Sequence, residues 1–376
     1  MRTFVRRFCA ALAVAGFASA FALGGDGPPP LPTPVPPDAP KLLPAPVPAE
    51  LVNTDAPIEL PGLPPLPPPD DAGAAGEPIR AAPTCRPWGG LFVDAEYLYL
   101  KPYRSDLNFA ILSPNTNGDP EGPIVSDPLR SRNAFRVGAG YRLPDDGWEV
   151  GFYYTYLHDD DGAFATQPAN GLLFATQTHP GTVEFAGSAL ADATLAYNVY
   201  DLEVGRRLNV GDSLSVRPFG GLRFAQIDQN FSVLYNGGDA NLDTTGSHLQ
   251  FNGGGLRAGA QADWTILEHL SLYGRGAGSL MVGDSRVGQT EFNNGGATTL
   301  TDASESFRKI VPVMELAAGV AYQRGNVRLS LGYEVTNWFN LIDSPVFVND
   351  VHQGKFLNNV SDLGVDGFAA RVEFNY

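Results

Sequence analysis

In Phe368-Ala369-Ala370-Arg371-Val372-Glu373-Phe374-Asn375-Tyr376, apolar and polar residues take turns. In an extended chain this puts Phe368, Ala370, Val372, Phe374 and Tyr376 on one side and Arg371, Glu373 and Asn375 on the other. A helix would scatter both sets around its circumference, so the segment reads as a strand with one apolar and one charged face. Segments of the same period recur at 89–100, 134–143, 148–158, 196–207, 213–228, 250–264, 270–283, 310–322, 327–339 and 365–376, ten strands in all. In 148–158, Trp148, Val150, Phe152, Tyr154 and Tyr156 share the apolar side and Glu149 and Thr155 the other; in 327–339, Val327, Leu329, Leu331, Tyr333 and Val335 oppose Arg328, Ser330, Glu334 and Thr336.

The connections choose between a soluble sandwich and a barrel in a membrane. Pro144 to Gly147, Asn209 to Asp212, Thr265 to His269 and Gln323 to Asn326 are short and carry turn chemistry. Between them lie the long polar segments 101–133, 159–195, 229–249, 284–309 and 340–364. Short and long alternate throughout, as in outer-membrane barrels, whose turns are periplasmic and whose long loops are extracellular. A sandwich has no reason to keep that rule. The fold class is therefore all-β: a transmembrane antiparallel up-and-down β-barrel of about ten strands (8–12), apolar toward lipid and polar toward the lumen, with both ends in the periplasm. The aromatic at the end of the last strand agrees, being a feature that the barrel-assembly machinery reads. No later hydrophobic stretch reaches the roughly eighteen residues of a membrane helix, so only strands could cross.

Three units follow. Residues 1–20 read as a signal peptide for export to the bacterial outer membrane: Arg2, Arg6 and Arg7 precede an apolar run from Phe8 to Phe17 that ends in Ala18-Ser19-Ala20. Residues 21–87 read as a proline-rich periplasmic linker, disordered and extended; Pro28 to Pro83 holds 20 of the 32 prolines and no periodic apolar face. It could touch the cell wall. Residues 88–376 form the barrel. Removing the signal leaves Cys85 as the single cysteine, hence no internal disulfide. It also moves the formal charge from −16 to −19, which argues against nucleic acid as a partner. The expected partners are outer-membrane lipid and lipopolysaccharide, together with the assembly machinery.

The side facing the lumen gathers charge. Asp94, Glu96, Glu149, Asp201, Glu203, Asp263, Glu315, Glu334 and Glu373 are expected there with Arg136, Arg142, Arg217, Arg223, Arg257, Arg275, Arg328 and Arg371. Nine acids meet eight arginines, and in a narrow lumen they should pair, because an unpaired buried charge is costly. Such a ladder either lines a pore or holds a plugged barrel together. Ten strands sit far nearer the filled eight-stranded barrel than the open porins of roughly 16 to 18. The histidines, His158, His179, His248, His269 and His352, read as solvated side chains, with His158-Asp159 the only adjacent Asp–His pair, so no enzymatic activity is expected. Asp159-Asp160-Asp161-Gly162 lacks the spaced ligands of a calcium loop and reads as a solvated acidic tip. Gly253-Gly254-Gly255 reads as backbone accommodation within a strand, and neither a cofactor nor a metal is expected.

Several stretches are similar to a known family. They are Tyr197-Asn198-Val199-Tyr200-Asp201-Leu202-Glu203-Val204-Gly205, Val216-Arg217-Pro218-Phe219-Gly220-Gly221-Leu222-Arg223 through Ile227-Asp228-Gln229, Val311-Pro312-Val313-Met314-Glu315-Leu316, Leu331-Gly332-Tyr333-Glu334 and Trp338-Phe339-Asn340. Together they resemble the pore-forming major outer-membrane proteins first recognised in Legionella, with relatives among planctomycete-type β-barrel porins. The resemblance covers most of residues 148 to 376 and implies pore formation. Two function classes stay open: a small-solute pore, and a structural or adhesive surface barrel with a plugged lumen.

Overall fold

The computed structural model describes residues 89–126, 129–144, 147–179, 181–344 and 359–376. The signal peptide, the linker, Cys85, Trp88, Asp145, Asp146 and His352 lie outside the described residues. In chain order the strands are β1 (Gly90–Tyr103), β2 (Asn108–Ser113), β3 (Ile124–Ser126), β4 (Arg132–Arg142) and β5 (Trp148–Thr166). Next come β6 (Leu172–Ala175), β7 (Phe185–Ala186), β8 (Ser188–Arg206), β9 (Leu208–Val210) and β10 (Leu214–Gly237). The chain ends with β11 (Ala240–Leu267), β12 (Leu270–Asn293), β13 (Thr298–Arg324), β14 (Val327–Asp343) and β15 (Val360–Asn375).

Ten of these close a ring in the order β1-β4-β5-β8-β10-β11-β12-β13-β14-β15, every neighbour antiparallel. The seam pairs the first and last strands from Phe92↔Asn375 to Tyr103↔Gly364, and the Tyr376 N–H donates to the Leu91 carbonyl at 2.8 Å. Short β9 adds to the rim beside β10. Strands β3-β2-β6-β7 form a separate four-stranded sheet within two of the long connections.

Each expected strand is present, and several outrun their expected ends. β10 and β11 stay paired as far as Gly237↔Ala240, and β12 and β13 as far as Asn293↔Thr298. Segments 229–249 and 284–309 are thus largely the outer halves of hairpins. Polarity there hid the strands, because a wall beyond the hydrocarbon no longer needs an apolar side while its backbone groups still pair.

The outward face fixes the membrane level. In β5 the apolar series Trp148, Val150, Phe152, Tyr154 and Tyr156 gives way to exposed His158 and Asp160. Neighbouring strands change at matching heights, to Asn133, Asn198, Gln226, Asn252, Asp284 and Arg308. Tyrosines just below that boundary reach up to it: Tyr97 donates to Asn133 Oδ1 (2.6 Å), Tyr154 to Asn198 Oδ1 (2.7 Å) and Tyr333 to Asp366. Trp148, Trp264, Tyr322, Phe374 and Tyr376 stand at the periplasmic end, so aromatics girdle both interfaces. The core of this molecule is its lumen.

Candidate functional site

Alternation carries all seventeen charged lumen candidates inward: Asp94, Glu96, Arg136, Arg142, Glu149, Asp201, Glu203, Arg217, Arg223, Arg257, Asp263, Arg275, Glu315, Arg328, Glu334, Arg371 and Glu373. Each takes part in an ion pair. Glu203 is the hub; it meets Arg217 at 3.2 Å, Arg275 at 2.8 Å and also Arg257. Glu315 joins Arg223 and Arg257, while Arg136 bridges Glu96 (2.7 Å) and Glu334 (3.0 Å). Arg142 spans Glu149 (2.9 Å) and Glu373 (2.8 Å), Arg371 meets Asp94 (3.1 Å), and Arg328 meets Asp263. The Phe219 ring lies 5.1–5.2 Å from the guanidinium carbons of Arg217, Arg257 and Arg275. The sequence reading missed Arg207, just past the end of β8, which also faces this space and evens the charge at nine against nine. The free volume left is about 60 Å³, room for a few waters.

Toward the outer side the same inward faces turn apolar, which the sequence reading did not anticipate. Leu98, Leu157, Ile227, Phe251, Met281, Val311, Trp338 and Leu363 are all fully buried. With Leu195, Val199 and Ala134 they draw on all ten strands of the ring. Trp338 packs edge-on to Tyr197, ring centroids 5.9 Å apart. The Phe251 ring lies where Cβ atoms on Gly253 and Gly283 would approach to 2.6 and 2.7 Å, so these glycines let an aromatic lie flat along the wall. A sequence signal existed: Tyr97-Leu98-Tyr99-Leu100 and Tyr156-Leu157 are apolar on both faces, a break in the alternation.

Above this layer the small sheet caps one side of the barrel. Its Phe109 and Leu173 pack with Phe231, Val233 and Tyr235, and the Tyr235 hydroxyl donates to the Phe109 carbonyl at 2.5 Å. Beside the cap opens a polar vestibule of about 550 Å³, floored by Leu249 and Ile342 of the apolar layer. The acidic run is not a solvated tip. Asp159 and Asp161 are buried, held by Arg132 at 2.6 and 3.3 Å, while Asp160 alone turns outward. The reason is the alternation of β5, which drives the first and third carboxylates inside. Nor are the histidines uniformly solvated: His179 is buried, and its backbone N–H donates to Glu291 Oε2 at 2.6 Å. Well beyond the lipid-facing part of β11, the carboxyl of Asp243 is pushed up to about 7 by burial and then by nearby Glu291, itself raised by burial.

Residues 85–376 match the family described as the Legionella pneumophila major outer membrane protein precursor. No curated protein matches the chain. Among solved structures it is similar to the outer membrane protease OmpT from Escherichia coli, at 11% identity over 76% of this chain and 97% of that one, with a TM-score of 0.45. The translocator domain of the autotransporter NalP from Neisseria meningitidis is 12% identical over 78% and 91%, TM-score 0.35. OprG from Pseudomonas aeruginosa is 10% identical over 76% and 96%, TM-score 0.26. These likenesses concern the fold alone. The expectation of no enzymatic activity is corrected on this point: one of these barrels is a protease, so the histidine survey does not exclude catalysis. That survey looked for neighbours in sequence, whereas a strand turns adjacent residues to opposite faces, as it does His158 and Asp159; a barrel brings catalytic groups together from different strands.

Proposed function

The chain belongs to the family of the Legionella pneumophila major outer membrane protein precursor, and from that premise we propose that this outer-membrane barrel is a structural surface protein. Its lumen is sealed at rest, and its outer crown meets the surroundings. One observation carries this reading: the lumen is filled twice, by a paired ionic layer and by an apolar layer to which every strand of the ring contributes. A solute would have to displace Trp338, Met281 and Phe251 and then part the pairs around Glu203. A dry apolar constriction blocks ions by dewetting. In this reading lipid and lipopolysaccharide meet the aromatic girdles.

The competing reading is the small-solute pore, favoured by the charged layer, which would line a passage of balanced charge if the apolar layer moved aside. Conductance in planar bilayers separates the two. The purified full chain is expected to be silent, and Trp338→Ala combined with Met281→Ala to admit ion flow. Steady channels from the unaltered protein at low voltage would overturn the sealed-lumen reading.

A further inference from the structure

The vestibule has features that the sealed lumen does not explain. Its charged groups are already engaged: Arg104 donates to both oxygens of Asp106, at 3.0 and 2.6 Å, and Asp343 is held by Lys309. The uncompensated groups are neutral. Gln229, on the inward face of β10 and 1% exposed, lines the cavity, yet neither its Nε2 nor its Oε1 meets a partner among the described residues. The Ser361 hydroxyl, on β15 and also lining the cavity, is likewise without one. A buried amide left unpaired is unfavourable, and native proteins keep few of them. Here two such side chains line the same space.

The chemistry of the missing partner can be read from what is offered. A primary amide presents a donor beside an acceptor, and a hydroxyl is both at once. Their complement is a pair of neighbouring hydroxyls. The apolar floor of Leu249 and Ile342 suits the C–H face of a sugar ring, as apolar contact fixes most small ligands while a few polar groups orient them. About 550 Å³ lies within the roughly 300–1,000 Å³ of small-molecule sites. An anion would face a chain of net charge −16 with no free cation among these lining groups. We propose that the vestibule binds a neutral sugar of one or two rings, held by Gln229 and Ser361 over the apolar floor. The inference rests on the sealed lumen in one respect, since the apolar layer is what gives the vestibule a floor.

The test is titration calorimetry on the full chain in lipid nanodiscs, with glucose, galactose, mannose, maltose and lactose as probes and gluconate as the charged control. At least one neutral probe is expected to bind saturably, and gluconate far more weakly. Gln229→Leu should weaken that binding at least tenfold without lowering the melting temperature, because it removes an unpaired buried amide. Ser361→Ala, a smaller change, should weaken it severalfold and serves if the first variant fails to fold. Absence of binding by every neutral probe, equal binding of gluconate, or binding unaltered in both variants would overturn the proposal. Conductance is recorded on the same preparation. A conducting barrel that still binds sugar through Gln229 would sink the sealed lumen and leave the site standing, and a silent barrel that binds none would do the reverse.

Discussion

Along β10 the inward side passes through two chemistries in a few residues: Arg217 and Arg223 belong to the ionic layer, Ala225 and Ile227 to the apolar one. The outward side of the same strand answers only to lipid and then to water. Two layers built on one set of strands thus fill the same lumen by opposite means. The ionic layer depends on mutual compensation, each acid being tolerable at depth because an arginine meets it. The apolar layer depends on volume, since its members make no polar claim and fail only by leaving space. The difference teaches that the lipid boundary dictates the outward pattern, whereas the inward pattern is free to adopt whatever closes the barrel.

That contrast can be tested by removing one member from each layer. Glu203→Ala leaves half-buried Arg275 without its acid and takes one of their acidic partners from Arg217 and Arg257, and is expected to cost about 3–5 kcal/mol in reversible urea unfolding in lipid. A neutral outcome would mean that water reaches the layer freely. Met281→Ala is expected to cost about 2–5 kcal/mol through the cavity it leaves, with the ion pairs below undisturbed. If it also shifted the arginine side-chain resonances, the layers would be one cooperative unit. The outward face supplies the reference: Leu331→Arg, in the apolar series of β14, should cost about 2–4 kcal/mol if it sits near the bilayer midplane. Arg308→Leu, exposed above the lipid boundary, should change little in the same assay.

The smallest effect expected is on pH. The Asp243 carboxyl ionises near 7 in the fold, above its ordinary value, because it is buried and faces Glu291. Between about pH 4 and 7 the folded crown holds a proton that the opened crown releases, so local stability falls as pH rises through that window and levels off above it. Hydrogen exchange of the β11–β12 outer hairpin should quicken from pH 5 to 7.5 once corrected for intrinsic rates, and Asp243→Asn should flatten the change. An unaltered slope in that variant would assign the effect to another group.

The outward half of this architecture was legible because lipid imposes a strict rule. Trp148 to Tyr156 and Val327 to Val335 could be assigned to a face from their spacing alone, and the inward charges followed as their complement. The apolar layer was not read, because Leu98, Leu157 and Trp338 sit beside outward or boundary residues that are themselves apolar, and a run apolar on both faces has no period. The outer hairpins were missed because their outward side turns polar beyond the lipid, as at Asn230, Ser232 and Asn236, even where β10 keeps Phe231, Val233 and Tyr235 inward. The vestibule lay beyond reach as well: Gln229, Leu249 and Ser361 come from three strands and one cavity, and nothing in their local sequence relates them.

The seam between β1 and β15 has a consequence in time. It pairs Tyr103 with Gly364 and Phe92 with Asn375, contacts that span nearly the whole folded chain, while β10 meets β11 across a turn of a few residues. Short-range hairpins can zip early, but the closing pair must wait for every intervening strand, since long-range closure carries the greater entropic delay. Until then two strand edges stay unpaired, a state that hydrocarbon penalises heavily. Closure is therefore the last event and the hardest to reverse. An interrupted chain lacking Phe368 to Tyr376 would stall before it, so that completion of the polypeptide and commitment to the membrane become a single step.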